Sequence, residues 1–262
     1  MDIALFSPSS LFHQQDDDSF DEQTQDDKSS SYVQRSHQFP GMELVIREFS
    51  FHQVNANLLW PGTFAFVDWL VQQRLKLQGR RIIELGSGTG ALAIFFNKLY
   101  QVDITTSDYD DQEIEDNIAH NCTINGVSPV LPHIKHSWGD PFPIPRPEWD
   151  LIIASDILLY VKQYPNLIKT LCFLLKCYKP RETCADSDSS EEELLVPRPA
   201  FLMSWRRRIG KEDESLFFSG CETAGLQVKH LGSRVNCSAR IKLKSVDPQP
   251  EKLDCQALEM GS

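Results

Sequence analysis

The sequence has no run of about 18–20 apolar residues, the length that a helix needs to cross a bilayer. Its first residues, MDIALFSPSSLFHQQDDD, lack the basic flank and the long apolar run of a secretory signal. Its seven cysteines are scattered and include no C-x-x-C pair of the kind that binds zinc or does redox work. We therefore expect no membrane partner and no metal site. We also expect a cytoplasmic location, with the nucleus left open as a second compartment.

Positive charge is scarce as well, since 26 Lys and Arg face 37 Asp and Glu, for a formal net charge of -11. Most of that excess lies in two segments, with -6 in residues 1–38 and -4 in residues 181–200, which leaves -1 for the rest. The body is thus almost neutral and has no basic stripe that could hold a phosphate backbone. We expect a monomer without a nucleic-acid partner.

The two acidic segments are also poor in apolar residues, so they cannot offset the entropy of becoming ordered. We predict a disordered acidic tail over residues 1–38 and a disordered acidic insertion at about 181–198. Residues 39–250 would form one domain around that insertion, and residues 251–262 a C-terminal tail. The 41% hydrophobic content is enough for a sizeable core in this domain.

From residue 39 onward, strand-like and helix-like patterns alternate along the chain. MELVIREFSF fits an edge strand or hairpin, and LLWPGTFAFVDWLVQQRL fits an amphipathic helix. Buried strands and helices then follow in turn. The chain closes with LQVKHL and ARIKLKSV, two strands with no room for a helix between them. These patterns predict an α/β fold, a doubly wound, Rossmann-like open sheet of about seven strands with an antiparallel C-terminal hairpin.

The stretch IIELGSGTG, residues 82–90, has three glycines at alternate positions after an apolar run and an acid. Gly86 and Gly88 permit positive φ and the close approach of a ligand to the backbone. Asp108 ends the next strand, where a carboxylate can accept hydrogen bonds from both hydroxyls of a ribose. The loop also fits the dinucleotide pattern G-x-G-x-x-A through Ala91. The pattern therefore indicates an adenosine cofactor but leaves its identity open.

Three features favour S-adenosylmethionine: Glu84 two positions before the first glycine, the third glycine at spacing two, and the terminal antiparallel strand. With ELGSGTG as the cofactor motif, the sequence resembles the class I, seven-β-strand methyltransferases. Over roughly residues 42–245, the motifs LLWPG, HSWGD and WDLIIASDILLY resemble the methyltransferase-like group of protein lysine methyltransferases.

That resemblance implies a methyltransferase domain that uses S-adenosylmethionine and modifies lysine on a non-histone protein substrate. A small-molecule methyltransferase and a binding module without transfer activity stay open as alternatives. The residues expected to contact the cofactor are Trp60, Glu84, Gly86, Ser87, Gly88, Asp108, Trp138 and Ser155. An indole can stack on adenine or face the sulfonium, although each tryptophan could also serve packing alone.

In that group, the strand after the second tryptophan ends in an acid followed three residues later by an aromatic residue, a signature linked to the target lysine. Asp156 matches the acid, whereas Leu159 stands at the aromatic position and Tyr160 comes one residue late. A carboxylate there could position the entering ammonium and accept its hydrogen bond. We predict Asp156 and Tyr160 as catalytic residues, with a helix N-cap and a packing role as their alternatives. SWRRR, residues 204–208, reads as a solvated loop or as a dock for an acidic protein substrate.

Overall fold

The structure is a computed structural model that describes residues 32–73, 75, 77–180, 196–235 and 252–260. The predicted acidic insertion lies almost entirely outside the described residues, as do residues 1–31 and the predicted strand ARIKLKSV. None of the helices in the described part of the chain has the length and apolar character that a bilayer span requires.

The described chain begins with a two-stranded antiparallel sheet made of β1 (Tyr32–Phe39) and β2 (Met42–Phe49). A second sheet contains the other strands, which are β3 (Arg81–Leu85), β4 (Asp103–Asp108), β5 (His133–Lys135), β6 (Leu151–Ser155), β7 (Ala200–Arg206), β8 (Leu226–Val235) and β9 (Lys252–Met260). The helices are α1 (Pro61–Gln73), α2 (Ala91–Tyr100), α3 (Gln112–Ile124), α4 (Tyr164–Lys176) and α5 (Lys211–Thr223).

The seven-stranded sheet has the order β5-β4-β3-β6-β7-β9-β8, and its first five strands run parallel. Successive residues of β3 face opposite sides. Ile82 packs in a core with Phe66 of α1 and Phe95 of α2, whereas Ile83 packs in a core with Leu167 of α4 and Phe217 of α5. Helices therefore cover both faces, which confirms the predicted doubly wound, Rossmann-like α/β fold.

Two predicted boundaries are wrong. Tyr32–Phe39 forms β1, although residues 32–38 were assigned to the disordered tail. Lys252–Met260 forms β9, although it was assigned to the C-terminal tail, and β9 pairs antiparallel with both β7 and β8. Each strand is held by backbone hydrogen bonds to its partner strands, which are β2 for β1 and both β7 and β8 for β9. The polar composition of the two segments gives no sign of that pairing.

The free edge of β2 is closed by a row of asparagines on α3. Asn121 accepts a hydrogen bond from the backbone N–H of Arg47 at 2.8 Å and donates to its carbonyl at 3.2 Å. One turn later, Asn125 makes the same pair of bonds to Val45 at 2.9 and 2.7 Å. Asn121 also donates to the carbonyl of Thr89 in the glycine loop at 2.9 Å. The hairpin is thereby tied to both α3 and the glycine loop.

Candidate active site

A cavity of about 660 Å³ opens at the carboxyl ends of β3, β4 and β6, the edge where ligands bind in open α/β sheets. Its wall includes eight of the ten residues that the sequence singled out, namely Trp60, Gly86, Gly88, Asp108, Trp138, Ser155, Asp156 and Tyr160. The structure therefore brings together residues from five separate segments of the chain.

The glycine loop supplies backbone to the cavity wall. Gly86, Gly88 and Gly90 have φ values of 67°, 51° and 75°, a region that other residues rarely adopt. A Cβ on Gly86 would lie 2.7 Å from Cγ2 of Ile157. The loop thus needs glycine at Gly86 both for its conformation and for its close contact with the segment after β6.

Glu84 and Ser87 are not among the residues that line the cavity, and their cofactor contacts stay a prediction. Glu84 is only 2% exposed, and its burial raises the pKa of its carboxyl well above 4.5. The Ser87 hydroxyl donates to the Glu84 carbonyl at 3.2 Å and accepts from the Ser107 N–H at 3.0 Å. Glu84 belongs to β3, and the Ser87 hydroxyl joins the glycine loop to β3 and β4.

Asp108 lies at the cavity wall beside the glycine loop, as predicted from its place at the end of β4. Its Oδ2 accepts a hydrogen bond from the Gly88 N–H at 2.6 Å, and its Oδ1 accepts one from the Tyr109 N–H at 2.7 Å. Burial raises the pKa of the Asp108 carboxyl, while these two hydrogen bonds act in the opposite direction. The result is a buried carboxyl group next to the backbone that a ligand would touch.

Asp156 joins three elements at the other end of the cavity. It follows β6 with a φ of 56°, a left-handed conformation that aspartate tolerates better than most residues. Its Oδ2 accepts from the backbone N–H of Gly62 at 2.6 Å, and its Oδ1 accepts from that of Arg206 at 2.8 Å. Asp156 therefore caps α1, a helix far away in sequence, rather than the helix that follows its own strand.

Arg208 contacts two residues of the cavity wall, Asp156 and Trp60. Its guanidinium donates to Asp156 Oδ2 at 2.9 Å, and its Cζ lies 4.2 Å from the ring centroid of Trp60. The sequence interpretation missed it, because three consecutive arginines read as a solvated loop. Its neighbour Arg207 does fit that description better, since it is exposed and pairs with Glu214 on α5.

Tyr160 lies at the cavity mouth and is 45% exposed. Its hydroxyl accepts a hydrogen bond from the side-chain amide of Asn55, and the Asn55 carbonyl accepts one from the Trp60 indole N–H at 3.0 Å. Leu159 lines the same cavity. The one-residue displacement of the tyrosine from the family pattern therefore leaves its ring at the site, joined to the loop between β2 and α1.

Further cavity residues carry no sequence signal strong enough to identify them. The imidazole of His136 is buried at the wall and lies 3.1 Å from the Asp140 carbonyl through Nε2. Lys162, Gln163 and Asn166 also line the cavity. Within the described ranges, no group of three or more His, Cys, Asp or Glu side chains is arranged to hold a metal ion.

Comparisons with solved structures agree with this fold. The 16S rRNA N2 G1207 methyltransferase RsmC from T. Thermophilus, solved in complex with AdoMet and guanosine, superposes with a TM-score of 0.55. It is 13% identical in sequence, and the match covers 92% of this chain and 53% of that one. At this level of identity the similarity concerns the fold alone.

Curated relatives are more similar in sequence. EEF1A lysine methyltransferase 3 from Xenopus tropicalis is 30% identical over 154 residues, which cover 56% of this chain and 65% of that protein. Protein N-lysine methyltransferase METTL21A from Danio rerio is 27% identical over 119 residues, which cover 44% of this chain and 54% of that protein. A histidine protein methyltransferase 1 homolog from Dictyostelium discoideum is 26% identical over 133 residues, which cover 48% of this chain and 42% of that protein. The chain spans less than two thirds of the length of each of these relatives.

The family comparison covers most of the domain that carries the cavity. A profile described as lysine methyltransferase matches residues 38–224, a range that includes β2 to β7, all five helices and every cavity residue discussed above. The chain therefore belongs to the lysine methyltransferase family.

Proposed function

We propose that the protein is an S-adenosylmethionine-dependent methyltransferase that modifies lysine on a non-histone protein, acting in the cytoplasm as a monomer. One observation carries this proposal. The glycine loop and Asp108 line the same cavity as Trp60, Asp156 and Tyr160. We assign Trp60, which the sequence predicted as a cofactor contact, to the acceptor end, because its contacts with Arg208 and Asn55 join it to Asp156 and Tyr160. The same cavity therefore has room for an adenosine cofactor and for an acceptor beside it.

The residues at the glycine end fit the proposed cofactor. The backbone of Gly86 and Gly88 is open to close approach, and Asp108 can accept hydrogen bonds from ribose hydroxyls. Trp138 adds an indole next to the loop, with its Cζ2 3.7 Å from a Cβ built on Gly86. When bound, S-adenosylmethionine supplies a methyl group on a positively charged sulfur.

The other end must receive an amine with a free lone pair, which a lysine ammonium with a pKa of ~10.4 lacks. Partial desolvation beside Leu159 and Tyr160 lowers the pKa of an entering ammonium. The Asp156 carboxylate lies at the same end with its charge paired to Arg208, and the Tyr160 hydroxyl can orient the nitrogen. Alignment of the nitrogen with the methyl carbon would supply most of the acceleration.

The geometry of Asp156 changes how its role must be tested. An Asp156→Asn side chain would turn an NH₂ group toward at least one of the donors that the carboxylate now accepts from, which are Gly62, Arg206 and Arg208. We therefore expect Asp156→Asn to lose stability together with transfer. A loss of activity in this variant would not by itself assign a catalytic role to Asp156.

The proposal is tested in two steps. Calorimetry with S-adenosylhomocysteine should show one saturable site that NADH does not fill, and Asp108→Ala should weaken binding by about 10-fold or more, as expected for a lost charge-assisted hydrogen bond. The wild-type protein, labelled S-adenosylmethionine and heat-treated cell extract should then yield a methylated protein whose modified residue mass spectrometry identifies as lysine.

The outcomes separate the alternatives. Binding of NADH without S-adenosylhomocysteine would overturn the cofactor assignment. Methyl groups on histidine, as the name of one relative describes for that protein, would keep the enzyme class and overturn the acceptor residue. Cofactor binding without incorporation into any protein would favour a small-molecule acceptor or a binding module.

A further inference from the structure

We infer that Arg208 is a positioning residue that fixes Asp156 and Trp60 together at the acceptor end of the cavity. This inference rests on the proposed function, because it assigns that end of the cavity to the methyl acceptor. It concerns transfer rather than cofactor binding, since the Arg208 guanidinium contacts Asp156 and Trp60, which we place at that end.

The first contact of Arg208 is a largely buried ion pair with Asp156. Arg208 Nη2 and Asp156 Oδ2 are 2.9 Å apart, and the two side chains are 15% and 1% exposed. Solvent screens such a pair weakly, and removal of one partner leaves the other charge buried without compensation. Because Asp156 also accepts from the Gly62 and Arg206 backbones, the loss of Arg208 would disturb a carboxylate that holds α1 against the sheet.

The second contact fixes the indole of Trp60. The Arg208 Cζ lies 4.2 Å from the Trp60 ring centroid, a distance at which a guanidinium is attracted to the π face. The indole N–H donates to the Asn55 carbonyl at 3.0 Å, and the Asn55 amide in turn donates to Tyr160. Arg208 therefore stands at one end of a chain of contacts that runs through Trp60 to the cavity mouth.

A planar guanidinium is required for this double role. Its flat face covers the indole while its edge donates to the carboxylate, whereas a lysine ammonium is a point charge that cannot do both in the same way. The same reasoning separates Arg208 from the adjacent Arg207, whose guanidinium makes a bidentate pair with Glu214 of α5, away from the cavity. Arg207 is thus a matched control with the same side chain and the same location along the chain.

The test compares wild type, Arg208→Met, Arg208→Lys, Arg207→Met and Arg207→Lys, all as the full chain. Each protein is labelled with 5-fluorotryptophan, and Trp60→Phe assigns one of the five tryptophan resonances to Trp60. Three quantities are measured: the ¹⁹F spectrum, the Kd of S-adenosylhomocysteine by calorimetry, and the rate of methyl incorporation into heat-treated cell extract at saturating labelled cofactor.

We expect Arg208→Met to shift the Trp60 resonance and to lower the rate by about 10- to 100-fold, the usual effect of a misplaced reacting group. The Kd should change by less than about threefold, roughly 0.6 kcal/mol. Arg208→Lys should recover part of the rate because it restores the charge without the planar face. Both Arg207 variants should keep the wild-type resonance and the wild-type rate, although Arg207→Met leaves the buried Glu214 carboxylate unpaired and should lower stability.

Several results would overturn the inference. One is a Trp60 resonance that does not move in Arg208→Met, and another is an equal rate in the Arg208 and Arg207 variants. A third is a loss of rate and affinity in Arg208→Met that is no larger than the fraction of unfolded protein accounts for. If Arg208→Met does not fold, the comparison of Arg208→Lys with Arg207→Lys decides. Failure of the proposed function looks different: wild type would label no lysine, while the fluorine comparison would still show whether Arg208 positions Trp60.

Discussion

At the scale of single residues, Gly62 explains why a glycine follows the tryptophan and proline of LLWPG. Pro61 begins α1, and the next N–H, that of Gly62, donates to Asp156 at 2.6 Å. A Cβ on Gly62 would lie 2.4 Å from the Asp156 Cγ, a distance at which the carboxylate must move. The glycine therefore permits the contact between α1 and the end of β6.

We expect Gly62→Ala to lower the free energy of unfolding by about 1–3 kcal/mol, the usual cost of overpacking a buried site. The displaced carboxylate should reduce methyl transfer as well. Gly210→Ala is the control, because its Cβ would make an ordinary contact of 3.6 Å with Asp213. Urea denaturation of both variants provides the measurement. Equal stability of the two would contradict the close-approach explanation.

A second residue-scale prediction concerns the buried carboxyl of Glu84. Burial raises its pKa above the ordinary value of 4.5, so the folded chain keeps a proton that the unfolded chain has lost. The stability that this group contributes is complete at a pH below its ordinary pKa. It is lost as the pH rises through the raised pKa of the folded state. Glu84→Gln cannot ionise and should reduce the fall in Tm as the pH rises above 4.5.

Thermal unfolding across this pH range checks the Glu84 prediction. Glu43→Gln, an exposed change on β2, controls for the loss of one carboxylate from the protein. A Glu84→Gln profile that runs parallel to wild type would show that the buried carboxyl does not contribute to the pH dependence.

At the scale of elements, α3 serves as the missing neighbour of β2. Asn121 and Asn125, one turn apart on one face of the helix, give β2 the hydrogen bonds that another strand would give. The carbonyl of Thr89 receives the third bond of Asn121, so the hairpin and the glycine loop share one side chain. The docking of the hairpin and the shape of the cofactor loop are therefore coupled.

We expect Asn121→Ala to destabilise the protein by about 2–4 kcal/mol, because the Arg47 N–H and the Thr89 carbonyl lose their bonds to Asn121, while the Arg47 carbonyl keeps its bond from Asn117. The Kd of S-adenosylhomocysteine should rise, since the glycine loop loses a tether. Thr123→Ala on the exposed face of α3 is the control, as the Thr123 hydroxyl donates to the Ala119 carbonyl of the same helix. Equal effects of the two changes on affinity would exclude the proposed coupling.

At the scale of the whole molecule, β1 belongs to the folded body. The Tyr32 ring lies 5.2 Å from that of Phe49, His37 approaches Glu48 at 3.2 Å, and Phe39 is buried in the core beside α2. The structure describes the chain from Tyr32 onward, and for residues 1–31, which lie outside the described residues, the disordered tail stays a prediction from composition.

Two truncations test where the body begins. A chain that starts at Tyr32 should keep its Tm and its affinity for S-adenosylhomocysteine, because the removed residues are acidic and poor in apolar groups. A chain that starts at Phe39 loses β1 and should be less stable by about 2 kcal/mol or more, since buried groups of β2 become exposed. Equal melting temperatures of the two chains would mean that β1 adds nothing to the body.

Periodicity and motif spacing in the sequence by themselves determined the alternation of strands and helices, the glycine loop after β3, and the placement of Asp108 at the end of β4. These features depend on local patterns, because burial on both faces of a strand and positive φ at a glycine are properties of short segments. The resemblance to the lysine methyltransferases, rather than these patterns, implied a site role for Trp60 and Trp138, whereas Asp156 was also indicated by its place at a strand end, and all three line the cavity.

Only the tertiary structure decided which polar groups meet at that site. Asp156 and Arg208 are 52 residues apart in sequence, and Arg47 and Asn121 are 74 apart. They meet because β6 and β7 are neighbours in the sheet and because α3 packs along the edge of β2. A local pattern shows which face of an element is apolar, whereas the partner of a polar group at its end depends on strand order and helix docking, which arise from the packing of the whole chain.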